Sequence, residues 1–594
     1  MDNQPNITDY EAAQRDVKLE VPEYFNFTAD VFEGHARRNG RCTALLIGSP
    51  DGSTIEKYSF EQLSRRLNQF AGALRRLGIR KGDRVLMLMG WRPEWYVSIL
   101  AMMKLGIIPI PTTTQSRPRD LQYRFDASGT VGVIASSDLV GVVDEAATQA
   151  KTLKHKIVVG APSPCPAGWS DFAALADREP EELDGWEKTK SSDHMLIYFT
   201  SGTVAYPKMV LHTQASYGIG HTLTARLWQD LKADDVHWTM TDTGWAKAAW
   251  GCIFGQWTVG AAIFVNAAPK FEPQKTLTTI GKAGITSFCA PPTVYRILVR
   301  EDLARYDLSS LRHCTSAGEP LNPEVIRIWK EATGTDIYDG YGQTETVNMV
   351  ANFRCLPIKP GSMGKPVPGF DMVIVDDEGN EQPCGNEGHL AVRLKPNRPV
   401  GFFREYINDP ESMAYSFRGD YYYTGDKAYK DSDGYIWFLG RADDVIITSG
   451  YRIGPFEIES ALLEHPAVRE SAVVASPDEL RGEVVKAFII LNDAYAPSAS
   501  LILELQNHVK NITAPYKYPR RIEFVKELPK TISGKIKRGE LRRREWTIRK
   551  TAAPRLVKRR RQYRRTYRRL GLRGLLERIR RTWFANGRPA KKGP

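Results

Sequence analysis

Between residues 84 and 342 the chain repeats one alternation: a short apolar run, a loop, then a longer stretch with apolar residues at helical spacing. RVLMLMG at 84–90 precedes PEWYVSILAMMKLG at 93–106, ITSFCA at 285–290 precedes PPTVYRILVRE at 291–301, and LRHCTSAG at 311–318 precedes NPEVIRIWKEATG at 322–334. GVIAS, KIVVG, HMLIYFTSG, DVHWTM and AAIFV supply further short runs in the same stretch. Short buried strands that alternate with helices predict an α/β fold with largely parallel sheets, in two blocks before Gly342. In such sheets substrates sit at the carboxyl ends of the strands.

After Gly361 the texture changes. DMVIV, the turn Asp377-Glu378-Gly379-Asn380, GHLAVR and later GYIWFLG read as strands joined by tight turns, a small β subdomain. From about Asp443 to Glu545 follow VIITSGYR, a helix opening at Gly454-Pro455, SAVVAS, VVKAFIIL, a helix through Leu501 to Val509, and RIEFV. That set predicts a separate α+β domain of about a hundred residues.

At 594 residues, 42% hydrophobic and 25% charged, the chain is large enough for more than one buried core. Its most apolar stretch, Trp95 to Pro111, is broken by Ser98, Lys104 and Pro109, so no membrane span is expected. Early acidic residues, Asp2, Asp9, Glu11, Asp16 and Glu20, argue against a transit peptide. Seven cysteines without a CxxC pair suit neither a disulfide framework nor a zinc site, and a cytoplasmic location is the expectation.

Charge is unevenly spread. Residues 541–594 hold 21 Lys and Arg against Glu545 and Glu577, a balance of +19 in a chain whose net charge is +13, which leaves −6 for residues 1–540. Within this tail Leu556, Tyr563, Tyr567 and Leu570 share one helical face; after Gly571 and Gly574, Leu572, Leu576, Ile579 and Trp583 share another. Two basic amphipathic helices of this kind suit an anionic membrane surface, peripheral to a cytoplasmic enzyme. Nucleic acid is disfavoured as a partner, because phosphate attraction accounts for the charge and not for the apolar faces. A solvated, disordered tail is the plain alternative.

Five segments carry the chemistry, in fixed order: YFTSGTVAYPK at 198–208, DGYGQTET at 339–346, YYTGD at 422–426, GRADDVIITSGYR at 440–452 and PKTISGKIKR at 529–538. The first sits at a strand end, where Thr200, Ser201, Gly202, Thr203 and Lys208 offer hydroxyls, backbone N–H groups and a cation to phosphates without a Walker A spacing. In the second, Gly340 and Gly342 let the backbone come close to a base and phosphate, Thr344 offers a hydroxyl, and Glu345 a carboxylate for Mg²⁺. Asp426 suits two ribose hydroxyls, since a carboxylate accepts two hydrogen bonds in parallel. Arg441, fifteen residues on, can bridge ribose and phosphate oxygens.

Together these segments resemble the adenylate-forming superfamily, in its AMP-dependent acyl-CoA synthetase branch. MTDTGWAKAAWGCIFGQW at 240–257, PEYFNFTADVF at 22–32 and APYKYPR at 514–520 resemble the medium-chain acyl-CoA synthetases. The resemblance spans about residues 22–547. It implies a large domain at 1–442 and a mobile domain with the catalytic lysine at 443–547; the basic tail at 548–594 lies outside it.

It also implies roles. ATP is bound by Thr200, Ser201, Gly202, Thr203, Lys208, Gly318, Glu319, Pro320, Asp339, Gly340, Tyr341, Gly342, Gln343, Thr344, Asp426, Arg441 and Lys535. Thr344, Glu345 and Lys535 are catalytic, with Glu345 on the metal and Lys535 neutralising charge as the acyl-adenylate forms. Asp443 is the hinge, Trp245 lines the acyl pocket, and Ser449, Gly450, Tyr451, Arg481, Lys510 and Tyr518 face CoA. Clustered aromatics around Trp245 equally serve core packing. The chain departs from the family at Val204 and Ala205, where a small hydroxyl residue and a glycine are usual. The expected activity is AMP-forming ligation of a medium-chain, branched or aromatic acid to CoA, with ATP and Mg²⁺. The rival is a non-catalytic nucleotide or acyl-adenylate binder that acts through its tail.

Overall fold

The computed structural model describes residues 4–186, 188–200, 207–268, 270–448, 451–478, 481–513, 517–531 and 535–547. Ser201, Gly202, Thr203, Val204, Ala205, Ser449, Gly450 and the tail from 548 lie outside them, as does the side chain of Tyr451. The chain divides into two compact units, Met1–Asp443 and Asp444–Pro594.

The larger unit carries two mostly parallel sheets. One has the order Ile108–Pro111, Arg84–Leu88, Gly132–Ser136, His155–Val159 and Ser170–Asp171, every neighbouring pair parallel. The other has nine strands, in the order Lys365–Pro366, Asn348–Ala351, Ile337–Gly342, His313–Ala317, Ser287–Ala290, Val236–Thr239, Ala262–Asn266, Thr43–Gly48 and Ile55–Ser59. Its middle is parallel and its edges antiparallel. The apolar runs read from the sequence form these strands, buried as parallel strands covered on both faces must be.

One run departs from the parallel pattern. His194–Thr200 turns back on Lys208–Thr213 as an antiparallel hairpin, with Thr200 opposite Lys208, and Glu405–Tyr406 adds a third strand beside Val210. Tight connections favour such hairpins, whereas a parallel return needs a crossover of a dozen or more residues. The β subdomain is a five-stranded sheet of Met372–Val375, Glu387–Arg393, Tyr421–Lys430, Phe417–Arg418 and Ile436–Arg441.

Local chemistry sets the helices. Pro323–Thr333 begins at Asn322, whose side chain accepts from the Glu324 N–H, carries Pro323 in its first turn, and stops at Gly334 with φ +72°. Val325, Ile326 and Trp329 fall on its buried face. The helix thereby returns the chain from His313–Ala317 to the adjacent strand Ile337–Gly342.

The smaller unit is a five-stranded sheet. Tyr451–Ile453, Ile446–Thr448, Gly482–Leu491 and Val468–Asp478 run antiparallel, and Arg521–Phe524 lies parallel to Gly482–Leu491. Helices Pro455–Leu463 and Ala499–Ile512 contribute Ile458, Ala461, Leu462, Leu501, Leu505 and Val509 to its core. Among the described residues no helix is long and apolar enough to cross a membrane.

Among the described residues of the larger unit, His212, His221, His237 and His313 are the histidines almost wholly shut off from solvent. Burial pushes His212 and His237 down to about 3 and His313 down to about 4, and it lowers His221 as well. The folded state keeps all four neutral, whereas the unfolded chain protonates them below about pH 6.5. Stability from these groups is therefore complete above that pH and is lost as pH falls toward 4. Urea titrations of the full chain should show a falling midpoint from about pH 7 to 5, with net protons taken up on unfolding; a flat profile would contradict the burial.

Candidate functional site

The carboxyl ends of the parallel strands in the nine-stranded sheet supply most of the predicted residues. His313–Ala317 leads into Gly318, Glu319 and Pro320, and its neighbour Ile337–Gly342 leads into Gln343, Thr344 and Glu345, with Ala317 opposite Gly340. Gly318 has φ +109° and nothing near its missing side chain. The half-buried Glu319 carboxylate accepts from the Thr293 hydroxyl at 3.1 Å and pairs with Arg296 at 3.4 Å.

The loop that follows Gly342 is held from several directions. Its Thr344 carbonyl accepts from the Tyr217 hydroxyl at 2.6 Å and from His212 Nε2 at 2.8 Å. A carbonyl only accepts, so Nε2 carries the imidazole hydrogen and Nδ1 accepts from the Ser216 hydroxyl, 3.0 Å away. The His212 and Tyr217 rings stack at 3.4 Å, and both side chains are fully buried. The Glu345 carbonyl accepts from the Phe403 N–H at 2.8 Å, and its carboxylate Oε1 from the Tyr406 hydroxyl at 2.7 Å. The Lys208 ammonium lies 4.9 Å from the centre of the same Tyr406 ring. Burial raises the Tyr406 phenol above its ordinary value, with Glu345 adding to the shift.

Asp426 is the hub of a second group. Tyr421–Lys430 pairs with Ile436–Arg441 so that Asp426 faces Arg441. The guanidinium donates to Asp426 Oδ1 at 3.1 Å; Oδ2 accepts from the Tyr341 hydroxyl and from Gln343 Nε2, the latter at 3.2 Å. Gln343 also donates to the Thr424 carbonyl at 2.7 Å and accepts from the Tyr422 hydroxyl at 2.8 Å. Asp426 is buried and Arg441 exposed. The carboxylate holds the Arg441 pKa above its ordinary value, and burial followed by the same carboxylate raises that of Tyr341.

Two placements change the physical reading. A side-chain carbon on Gly340 would lie 2.4 Å from the Trp228 indole, and one on Gly342 would lie 2.3 Å from the Trp250 indole and 2.6 Å from the Val347 carbonyl oxygen. On that side the glycines are required by packed tryptophans, not by a base or phosphate. Asp339 is buried, accepts from the Gly340 N–H at 3.1 Å, and is pushed up to about 8 by burial. It is largely protonated near neutrality.

Thr200 ends its strand half-buried, and Trp245 sits half-buried directly before the helix Ala246–Gly251. Asp443 is exposed, at the division between the units. In the smaller unit the Lys510 ammonium lies 4.3 Å from the Tyr518 ring, and Arg520 donates to the Tyr518 hydroxyl at 2.7 Å. Arg481 is exposed, its N–H on Asp478 at 3.2 Å. Lys535 is exposed; its N–H donates to the Thr531 hydroxyl at 3.1 Å and its carbonyl accepts from the Thr531 N–H at 2.7 Å. The structure thus joins Lys208, Tyr341, Gln343, Thr344, Glu345, Asp426 and Arg441 in the larger unit, and Lys510 with Tyr518 in the smaller one.

Sequence reasoning passed over His212, Tyr217, Tyr406 and Tyr422. A signal existed for two of them: His212 is a polar residue inside the apolar run KMVLHT, and Tyr422 lies inside YYTGD. Tyr406 and Tyr217 sit in aromatic surroundings that read equally as core.

The model of the AMP-binding enzyme family matches residues 32–406, and that of the AMP-binding enzyme C-terminal domain matches residues 457–535. Acyl-coenzyme A synthetase ACSM3, mitochondrial, of Rattus norvegicus is 47% identical over 91% of this chain and 94% of its own length. The human ACSM4 synthetase, also named mitochondrial, is 48% identical over 91% of this chain and 94% of its own length. A solved anthranilate CoA ligase, AuaEII, in complex with anthranoyl-AMP, superposes with a TM-score of 0.81 at 33% identity, covering 90% of this chain and 98% of that one.

The mitochondrial relatives overturn the expectation of a cytoplasmic location. Unpaired cysteines separate a reducing compartment from an oxidising one, and do not tell one reducing compartment from another.

Gly342→Ala should destabilise the larger unit by about 1–3 kcal/mol, the cost of forcing atoms into a packed site. Chemical denaturation followed by tryptophan emission checks this, with a shifted native emission expected from the displaced Trp250.

Proposed function

The chain belongs to the AMP-binding enzyme family of adenylate-forming enzymes and is an AMP-forming acyl-CoA synthetase, and from that premise we propose how its residues divide the work. The reaction has two halves. A carboxylate oxygen attacks the α-phosphorus of ATP, the bond to the β-phosphate oxygen breaks, and pyrophosphate leaves. The CoA sulfur then attacks the acyl carbon, AMP leaves with the anhydride electron pair, and the thiol proton is released to solvent.

The observation that carries the assignment is that Lys208 and Glu345 meet at Tyr406, while Gln343, next to Thr344 in the same loop, donates to the Asp426 carboxylate that pairs with Arg441. Asp426, fixed by Tyr341 and Gln343, receives the ribose hydroxyls, and Arg441 bridges ribose and phosphate. Thr344 contacts the α-phosphate, and Lys208 with the loop 200–203 holds the outer phosphates. Gly318, Glu319 and Pro320 border the adenine, beside Asp339 and the backbone of Gly340, Tyr341 and Gly342.

Glu345 is the residue that would hold Mg²⁺, which supplies charge neutralisation on the phosphates when bound. The donor set fits. Among the described residues no three His, Cys, Asp or Glu side chains cluster, so no all-protein cage is available. One carboxylate suits an ion that keeps water and takes phosphate oxygens as its other ligands.

Lys535 comes from the smaller unit and acts in adenylate formation by neutralising charge at the α-phosphate and the acid oxygen. Asp443 is the hinge about which that unit turns, after which Ser449, Gly450, Tyr451, Arg481, Lys510 and Tyr518 receive CoA. Paired cations around Tyr518 suit a polyphosphate ligand. The acid is medium-chain, branched or aromatic, with Trp245 in the pocket wall; the solved anthranilate CoA ligase, whose acid is aromatic, supports the aromatic choice. The non-catalytic rival is set aside, since these relatives are named synthetases and ligases. The basic, apolar-striped tail from 555 to 583 has an anionic membrane surface as its partner, where charge attraction and apolar insertion add.

A screen for pyrophosphate release and thioester formation over straight, branched and aromatic acids tests the reading, and the absence of both with every acid would overturn it. With the preferred acid, Lys535→Ala should slow adenylate formation by roughly 10²-fold or more, the effect of removing one charge-stabilising donor. Thioester formation from supplied acyl-adenylate should survive, and an equal fall in both halves would contradict the two-arrangement scheme.

The tail has its own test. The full chain should sediment with anionic liposomes, and truncation after Glu545 should abolish this while ligation of soluble acids persists. Equal sedimentation of both forms, or binding to RNA or DNA alone, would refute the membrane assignment.

A further inference from the structure

One short segment touches both phosphate-handling elements of the larger unit. In Phe402–Tyr406, Phe402 bridges to Thr346 and the Phe403 N–H donates to the Glu345 carbonyl, while Glu405 and Tyr406 pair with Leu211 and Val210 of the strand that begins at Lys208. The loop after Gly342 and the hairpin that ends at Thr200 and Lys208 are far apart in sequence, and this segment lies against each. Tyr406 closes the connection with its side chain: the hydroxyl is 2.7 Å from Glu345 Oε1, and the Lys208 ammonium is 4.9 Å from the ring centre. Tyr406 is 5% exposed and its ring packs at a tilt against Phe403, with centroids 4.7 Å apart, so it has little freedom to turn away.

We propose that Tyr406 is a positioning residue for adenylate formation, orienting the Glu345 carboxylate toward the metal through its hydroxyl and seating the Lys208 ammonium against the triphosphate through its ring face. This rests on the assignment of Glu345 and Lys208 to metal and phosphate given above. The physics is that of an outer partner of a metal ligand: a hydrogen bond to one carboxylate oxygen fixes the plane of the group and hence the direction in which the other oxygen points. The ring face attracts a cation without a counter-charge, which holds Lys208 in place and leaves its charge for phosphate. Neither action needs Tyr406 to touch a substrate.

Two substitutions separate these actions. Tyr406→Phe removes the hydroxyl and keeps the ring; Tyr406→Leu removes both. Binding of Mn²⁺ to the full-length enzyme with ATP, followed by electron paramagnetic resonance, reads the metal site without turnover.

Tyr406→Phe should weaken Mn²⁺ binding roughly 10-fold or more and raise the Mg²⁺ needed for adenylate formation by a similar factor, the range for loss of an outer partner. Its thermal midpoint should stay that of the parent, and thioester formation from supplied acyl-adenylate should be retained. Metal-free ATP binding should be unchanged in Tyr406→Phe and weaker in Tyr406→Leu.

Glu345→Gln is the control for the underlying assignment. If Glu345→Gln loses Mn²⁺ and Tyr406→Phe does not, the positioning role is overturned while the metal assignment stands. If neither loses it, the metal assignment itself fails. Equal metal-free ATP binding in the Phe and Leu variants would overturn the role of the ring. A lowered thermal midpoint with equal loss in both half-reactions would show that Tyr406 is merely structural.

Discussion

A carboxylate buried at Asp426 has to be paired, and most of the site follows from how that requirement is met. Three donors converge on it: the Tyr341 hydroxyl, the Gln343 amide and the Arg441 guanidinium. Tyr341 and Gln343 belong to the end of the nine-stranded sheet, whereas Asp426 and Arg441 face each other across two strands of the β subdomain. Removing a partner from a buried charge leaves an uncompensated ion, which costs far more than losing an exposed pair. The same hydrogen bonds therefore fasten two sheets together and fix the carboxylate for which we propose a ribose-binding role.

The loop that begins at Gln343 is over-determined in the same manner. Tyr217 and His212 hold the Thr344 carbonyl from below, Phe403 holds that of Glu345, and Tyr406 holds the Glu345 carboxylate. These donors are supplied by buried side chains and by backbone, so the loop needs no reorganisation when charge develops, which is the condition under which electrostatic stabilisation is strongest. Steric constraints act alongside. Trp228 and Trp250 occupy the space that side chains at positions 340 and 342 would take, and any larger residue there would push the loop off its anchors.

In the proposed reaction the two compact units divide the chemistry as well as the chain. The larger holds the groups suited to ribose, phosphate and metal; the smaller carries Lys535 and the cations around Tyr518. A reaction in two halves, each with its own attacking group, suits such a division, because a single rigid arrangement would have to present both at once.

The sequence alone determined the alternation of strand and helix, since periodicity and caps such as Asn322, Pro323 and Gly334 act within a few residues of themselves. It also determined the reaction class, because five motifs in fixed order resemble those of the adenylate-forming superfamily. The antiparallel turn of His194–Thr200 onto Lys208–Thr213 was not legible, as pairing direction depends on which neighbour a strand finds. Nor was the reason for Gly340 and Gly342, which lies in two tryptophans roughly a hundred residues away in the chain. Tyr217 and Tyr406 were silent for the same reason: a buried tyrosine looks like core until its polar atom is seen to meet a partner. Local propensity and residue chemistry are written along the chain; which polar atoms meet is decided only when distant segments pack, because burial is what obliges each of them to find a partner.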